Sequence, residues 1–428
     1  MSDFDAIVVG AGCAGSIAAY TLAKAGKSVL LVERGNFAGA KNMTGGRIYA
    51  HSLKKVFPNF ETEAPVERRI TRERISLLDA HANFTIDFSS ESMAQEGKDS
   101  CSVLFGPFDQ WLAEQAEEAG AEIICGIPVE DLIMDGSKVK GVVAGEDELT
   151  ADVVILADGV NSLLTPKAVG APTPKPSEMA VGVKELIALP PNVIEDRLLC
   201  APGEGAAWLF AGDSTKGHIG GGFMYTNRDS ISLGLVATLS DLVTADTTIY
   251  QMMEDFKKHP DVSALIKGGK LLEYSGHMVS EGGYHMIPKL VGDGCLVAGD
   301  AGMLCMNLGY CVRGMDFAVA SGQMAAQAAI SALDDGDVSE QSLHRYMDLL
   351  ENSFVLRDMR QYQRFPHFME STKRIFNGYP GMVRDIFDAM FVVDGSPQLP
   401  LKKKFMEPAK QLGLMNILKD VKGGMKAL

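Results

Sequence analysis

The feature that most restricts how this chain can fold is a glycine cluster between two apolar segments near its start. Phe4 to Val9 is a short run rich in Ile and Val, Gly10-Ala11-Gly12-Cys13-Ala14-Gly15 follows, and Ile17 to Ala23 then carries small and apolar residues at helical spacing. The pattern predicts strand, tight turn and helix. A second apolar run, Val29 to Val32, ends in Glu33, eighteen residues beyond Gly15. Together these fit a dinucleotide-binding unit. Gly10 permits the turn, Gly12 lets a pyrophosphate approach the backbone, and Gly15 lets helix pack on strand. The helix N-terminus offers unpaired N–H groups and a favourable dipole to phosphates, and Glu33 is suited to accept hydrogen bonds from ribose hydroxyls. The competing reading is a plain tight turn in an α/β sheet.

This motif alone does not separate FAD from NAD. Two later segments bear on the choice. Thr150 to Asp158 reads as a buried strand ending in Asp158-Gly159, and Leu290 to Asp300 as another ending in Gly299-Asp300 before a helix of small residues. Strand ends separated by long insertions are thereby expected to meet at one sheet edge. A length of 428 residues allows two to three lobes at about 150 residues each. The formal charge of −15 gives no support to a function that neutralises nucleic-acid phosphates. Seven scattered cysteines without a C-x-x-C pair suit a reducing compartment. No basic n-region and no spanning apolar run is visible, so the expectation is a cytoplasmic protein with, at most, peripheral contact at the inner face of the cell membrane.

At these residues the chain resembles FAD-dependent flavoproteins of the glutathione-reductase type with a hydroxylase-like second domain. The matching segments are the Gly10 triplet with Glu33-Arg34, Ala157-Asp158-Gly159 and Gly299-Asp300. The resemblance implies that Asp300 binds the ribityl chain, Glu33 the adenosine ribose, and Val129, in Gly126-Ile127-Pro128-Val129, the adenine through its backbone. Two further stretches, Gly39 to Tyr49 and Met306 to Phe317, look like signatures of the FixC proteins, relatives of the electron-transfer-flavoprotein:quinone oxidoreductases. Val181 to Leu186 and Asp293 to Asn307 add to the likeness, which extends over essentially the whole chain. By that resemblance Asn42, Thr44, Gly45, Arg47, Asn307 and Gly309 line the flavin, and a helix beginning near Asn307 to Gly309 aims its N-terminus at the ring. The chain departs from the pattern in three places. The 117 residues after Cys311 hold no cysteine, so they supply no thiolates to an iron–sulfur cluster. Relatives read Gly-Asp-Ala-Ala-Gly where this chain has Gly299-Asp300-Ala301-Gly302-Met303, and an Arg usual before the Phe108-Asp109-Gln110-Trp111-Leu112 helix is absent from Leu104 to Pro107.

The fold expected is therefore α/β: an FAD-binding Rossmann domain from 1–170 and 286–335, an inserted antiparallel-sheet substrate or quinone-type domain at 171–285, and a helical C-terminal region at 336–428. Gly220-Gly221-Gly222 in the insert either cradles a ligand or marks a crowded strand crossing. The last 28 residues carry seven lysines against two acids, a net +5 that leaves −20 for the rest. Apolar residues such as Phe405, Leu414 and Leu418 lie among these lysines, as an interfacial helix or docking arm requires. The alternative is a basic end packed on its own domain.

Flavin chemistry needs no side-chain nucleophile, and no catalytic residue or metal ligand is assigned. Arg47 and Arg313 are read as ring-side contacts or ordinary ion pairs. His277 and His285 are read as structural or as proton donors to a quinone, and Cys305 with Cys311 as packing groups or a redox pair. The function implied is electron transfer from a FixA/FixB-like electron-transfer flavoprotein to a ferredoxin-like FixX subunit or a quinone. Reduction of isoprenoid double bonds and aromatic hydroxylation are the alternatives.

Overall fold

The computed structural model describes residues 2–42 and 45–428, and Thr44, among the expected cofactor residues, lies outside them. Strand Phe4–Val9 sits at the centre of an eight-stranded sheet, parallel to Val29–Glu33 on one side and to Asp147–Leu156 on the other. The parallel set is extended by Glu122–Cys125 and Cys295–Val297. These strands are continuous Val/Ile/Leu runs because both faces are covered. The register pairs Val9 with Val32 and Leu156, and Leu156 with Val297. Their C-terminal ends are therefore level, and Gly10, Glu33, Asp158 and Asp300 leave one edge together. The expected long strand from Leu290 is shorter than predicted. Gly294, at φ +70°, turns the chain so that Val291–Gly292 pairs back on Cys295–Val297.

Helix Cys13–Lys24 covers one face and crosses helix Met315–Asp335 closely. A Cβ on Gly322 would stand 2.1 Å from the Ala14 carbonyl oxygen, so glycine is required at that crossing.

The second layer is a nine-stranded sheet, antiparallel except where Glu204–Gly212 runs parallel to Val66–Asp79. Met179–Ala188, Gly220–Thr226, Ser230–Thr238 and Lys270–Ser280 supply the strands expected of the insert. Helix Ile249–Lys258 packs Met252, Met253 and Phe256 against Trp208 and Phe210. Gly46–Tyr49, Val66–Asp79, Ala82–Ser89 and Ser100–Val103 join the same sheet, although they fall within the 1–170 block expected to build the nucleotide unit. Their partners are each other and Glu204–Gly212, and none pairs with the parallel set.

From Glu340 onward the chain is helical. The buried Tyr346 ties this region to the first sheet, its hydroxyl donating to the Val297 carbonyl at 3.0 Å. Helix Leu414–Ala427 is held by Asp420, which pairs with Arg374 at 2.6 Å, and by Gly423, which lies against the Phe368 ring. Its other side exposes Leu414, Leu418, Val421 and Met425, spaced as one helical stripe. No helix among the described residues is long and apolar enough to cross a membrane.

Candidate functional site

A cleft of ≈ 1560 Å³ runs from the level strand ends to the face of the second sheet. That exceeds the roughly 300–1,000 Å³ of a pocket for one drug-sized ligand. At its nucleotide end Gly10 has φ +98°, and a Cβ there would meet the Ala157 carbonyl oxygen at 2.4 Å. Gly15 is more constrained still, because its Cβ would fall 1.8 Å from the Gly10 oxygen. Gly12 is different: the space beyond its Cα is open toward the cleft, with only the Asn42 amide at 4.0 Å. Gly12 also caps helix Cys13–Lys24 without a side-chain hydrogen bond, which leaves first-turn N–H groups for an anion.

Glu33 is buried, and each of its oxygens accepts a backbone N–H, from Ala11 at 2.9 Å and from Gly35 at 2.6 Å. A carboxylate oxygen has a second lone pair, so Glu33, which lines the cleft with Arg34 and Val129, keeps capacity for ligand hydroxyls. Asp158 and Gly159 line the opposite wall. Burial pushes the Asp158 carboxyl up to about 6, and its Oδ1 is enclosed without a partner. Asp300 opens onto the cleft but is ringed by protein, and the resulting desolvation raises its carboxyl while His277 opposes the rise. Gly299 and Gly15 stand behind the wall, where they serve helix packing. A Cβ on Gly299 would meet that of Ala14 at 2.8 Å.

Between the two ends lies an arrangement the sequence did not single out. Asp109, fully buried on helix Phe105–Glu118, accepts from the Asn42 amide and from the Cys13 thiol, the latter at 3.6 Å. Burial pushes its carboxyl up to about 7. The signal was present as an acid inside the apolar Phe108 to Leu112 run.

At the far end, Gly45 presses on strand Ser230–Thr238, where its Cβ would be 2.2 Å from Ser232 Oγ. Arg47 is an ion-paired residue: it meets Glu73 at 2.5 Å, donates to Ser100 Oγ at 2.9 Å and covers the Tyr49 ring. Arg313 is paired as well, with Asp316 at 2.8 Å and Asp358 at 2.6 Å, over the Phe317 ring. Both arginines still border the cleft.

Asn307 and Gly309 do not begin a helix. Met306–Asn307 pairs with Val312–Arg313 as a hairpin, and Asn307 Oδ1 accepts the Gly309 N–H at 2.9 Å, with Gly309 at φ +74°. An Asn that bonds its own backbone two residues on makes a turn as readily as a helix start. The helix begins only at Met315.

Cys305 bonds Ser280 at 2.8 Å and Cys311 bonds the Tyr49 hydroxyl at 3.4 Å, so each thiol has its own partner and both are free. His277 faces the cleft with Nδ1 held on the Met278 carbonyl, and His285 lies exposed at the mouth. Gly221 and Gly222 are crowded by Phe210 oxygen at 2.5 Å and the Phe256 ring at 2.7 Å. Glycine there answers packing, while the same backbone lines the cleft. Beyond it the cleft continues over Leu209, Phe223 and Val236, beneath Phe365 and Phe368.

The sequence missed Lys184. It is 3% exposed, lines the cleft and donates to the Gly45 carbonyl between the Phe105 and Phe223 rings. Burial pulls its amine down to about 7. Among the described residues no cluster of three or more His, Cys, Asp or Glu side chains is arranged to hold a metal ion.

Comparison with known proteins gives three family matches. Residues 5–167 match FAD dependent oxidoreductase, 179–279 match ETF-QO, ubiquinone-binding, and 365–428 match the ETF-QO/FixC family C-terminal domain. The chain is 53% identical over 430 residues to the probable electron transfer flavoprotein-quinone oxidoreductase YdiS of Escherichia coli K12, covering 100% of both. It is 51% identical to protein FixC of Salmonella typhi, covering 99% of each, and 38% identical to protein FixC of Azorhizobium caulinodans, covering 96% of each. Among solved structures, a geranylgeranyl bacteriochlorophyll reductase-like protein of Thermoplasma acidophilum superposes with a TM-score of 0.72 at 18% identity, over 98% of this chain and 99% of that one. The myxobacterial halogenase CndH gives 0.64 at 16% identity, over 97% of each chain. These structures share the fold.

Proposed function

The chain belongs to the ETF-QO/FixC family of FAD-dependent oxidoreductases, and from that premise we propose that it takes electrons from a FixA/FixB-like electron-transfer flavoprotein and delivers them to a quinone or a ferredoxin-like FixX subunit. The supporting observation is the continuity of the cleft. Its nucleotide end runs without interruption into an apolar extension on strands of the segment matched to ubiquinone binding. One cavity therefore suits an FAD and a second, apolar ligand.

The residues fit FAD. The open, uncapped helix terminus at Gly12 suits its pyrophosphate, and a cleft of ≈ 1560 Å³ has the volume for both halves of the molecule. We assign the adenosine end to Glu33, Arg34 and Val129, and the pyrophosphate to Gly10 and Gly12. Asp158, Gly159 and Asp300 take the linking chain, and Asn42, Gly45, Arg47, Asn307 and Gly309 take the ring end. Gly15 and Gly299 act by packing. Bound FAD supplies the redox chemistry, and the protein binds it, excludes water and sets its charge environment. Arg47 and Arg313, each fixed by carboxylates, hold the shape of the ring end.

The absence of cysteine after Cys311 supports a division of labour in which a FixX-like subunit brings the iron–sulfur cluster. The lysine-rich C-terminal helices, with their exposed apolar stripe, are read as the dock for an acidic partner or an anionic membrane surface.

The test is anaerobic mixing of the FAD-loaded protein with reduced electron-transfer flavoprotein, with and without a short-chain quinone, while the flavin spectrum is followed. Rapid reduction followed by quinone-dependent reoxidation is expected. Reduction by NAD(P)H with indifference to the flavoprotein would overturn the assignment and favour hydroxylation or isoprenoid reduction.

A further inference from the structure

Among the described residues Lys184, in the wall of the cleft, has no ion pair with the carboxylate that a buried ammonium ordinarily requires. Its one hydrogen bond among the described residues goes to the Gly45 carbonyl, although an ammonium has three donors. Phe105, from helix Phe105–Glu118, and Phe223, from strand Gly220–Thr226, face it with neutral rings at 6.0 and 5.3 Å. Strand Ser230–Thr238 contributes Ser232 and Gly234, also neutral. Strand Lys270–Ser280 contributes Glu273, the carboxylate whose charge reaches Lys184 among the described residues. The adjacent Glu185 is engaged elsewhere, by Lys257 at 2.7 Å. Among the described residues, a cation in this position has donors to spare, aromatic walls and a cleft in front of it.

The ring end of a dinucleotide must lie close by. With the pyrophosphate assigned to Gly12 and the adenosine end to Glu33, the other half would run toward Asp300, Asn307 and the Gly45 loop, whose carbonyl Lys184 holds. We propose that Lys184 is a proton-carrying residue of this cleft: its amine takes one proton from solvent when an electron pair enters and gives that proton up when the pair leaves. The desolvation that brings the amine down to about 7 leaves it largely neutral just above neutral pH. Negative charge arriving in the cleft then favours protonation.

The balance is simple. Two electrons enter from the donor, and two protons follow from solvent, one to the ligand side of the cleft and one to Lys184 Nζ. On exit, two electrons and two protons convert a quinone to a quinol, one of those protons coming from Lys184. Only the identity of that acceptor rests on the electron-transfer reading above.

The experiment is a spectroelectrochemical titration of the FAD-loaded full chain from pH 6 to 9, using wild type, Lys184→Met, Lys184→Gln and Lys184→Arg. One proton per electron pair changes the equilibrium tenfold per pH unit, about 30 mV for a two-electron couple. Above pH 8 the wild type is expected to take up two protons per pair and the variants one. Lys184→Arg, which keeps its charge but does not titrate, should share the shallower slope at a higher potential than Lys184→Met. Equal slopes in all four proteins would overturn the proposal. Uptake of a single proton per pair by the wild type above pH 8 would do so without any variant, should substitutions abolish FAD binding. Neither flavoprotein donor nor quinone is present, so this outcome is independent of the electron-transfer test.

Discussion

Replacing Lys184 by methionine should change how the stability of the protein depends on pH, in a direction and by an amount that follow from its burial. The amine lies at about 7 in the fold, against an ordinary 10.5. Between those values the unfolded chain binds a proton that the folded chain does not, so the wild type gains stability as pH rises through this window. The full shift corresponds to about 5 kcal/mol at 1.36 kcal/mol per pH unit. From pH 7 to 9 the gain is about 2 kcal/mol, because half of the amines are already neutral at the lower value. Lys184→Met lacks this term and retains every other titration. An unfolding entropy of about 2.1 cal/mol/K per residue converts the difference into about 2 °C for a chain of this length. Melting both proteins at saturating FAD, with Trp111 and Trp208 as fluorescent reporters, should therefore show the wild type gaining about 2 °C on the variant from pH 7 to 9. Parallel melting curves across that range would mean that the lysine is solvated or paired in the fold, and the argument from burial would fail.

Other substitutions test the rest of the site. Gly15→Ala places a methyl 1.8 Å from the Gly10 oxygen and should abolish FAD retention on a desalting column. Gly106→Ala, where nothing stands within 4 Å, should retain FAD fully. Arg313→Met takes the guanidinium from the buried Asp316 and leaves it His51 Nε2 at 3.1 Å, so it should cost about 2 kcal/mol in denaturant unfolding, the range for a lost hydrogen bond to a charged group. Serine at Leu414, Leu418, Val421 and Met425 together should leave the flavin spectrum unchanged and lower sedimentation with anionic vesicles several-fold. Unaltered sedimentation would remove lipid docking from the reading of the basic arm.

The strand-end half of the cleft was legible because its determinants are local. Gly10, Gly12 and Gly15 act within one turn, and runs as apolar as Val29 to Val32 and Val153 to Leu156 have few places to go except a covered parallel sheet. The far half of the cleft was harder to read because its determinants lie far apart in the chain. Gly46–Tyr49 belongs to the second sheet only because Ser100–Val103 pairs with it, and that sheet closes through Val66–Asp79 running beside Glu204–Gly212. Nothing within residues 46–103 announces such partners. The stretch around Asn307 was misread because Asn and Gly suit a helix start and a turn equally. Whether Arg47 was free or paired depended on Glu73, which no spacing rule links to it, and Arg313 divides its guanidinium between Asp316, three residues on, and the distant Asp358. Lys184 was hidden in the run Val183 to Leu186, every residue of which is buried, where alternation gives no hint that a charge faces a cavity.

The level strand ends also have a consequence for how the protein is made. The floor of the cleft at the strand ends is assembled from residues 4–9, 29–33, 147–156 and 295–297, with the first strand in the middle. During synthesis that first strand emerges early and waits for a neighbour encoded some 140 residues later, and the floor gains Asp300 only when about 300 residues have left the ribosome. Parallel pairings of such separation form slowly and leave apolar edges uncovered meanwhile. Cofactor capture is thus a late event in the life of the nascent chain. A shortage of FAD should be felt as aggregation of newly made protein more than as a pool of stable, empty enzyme.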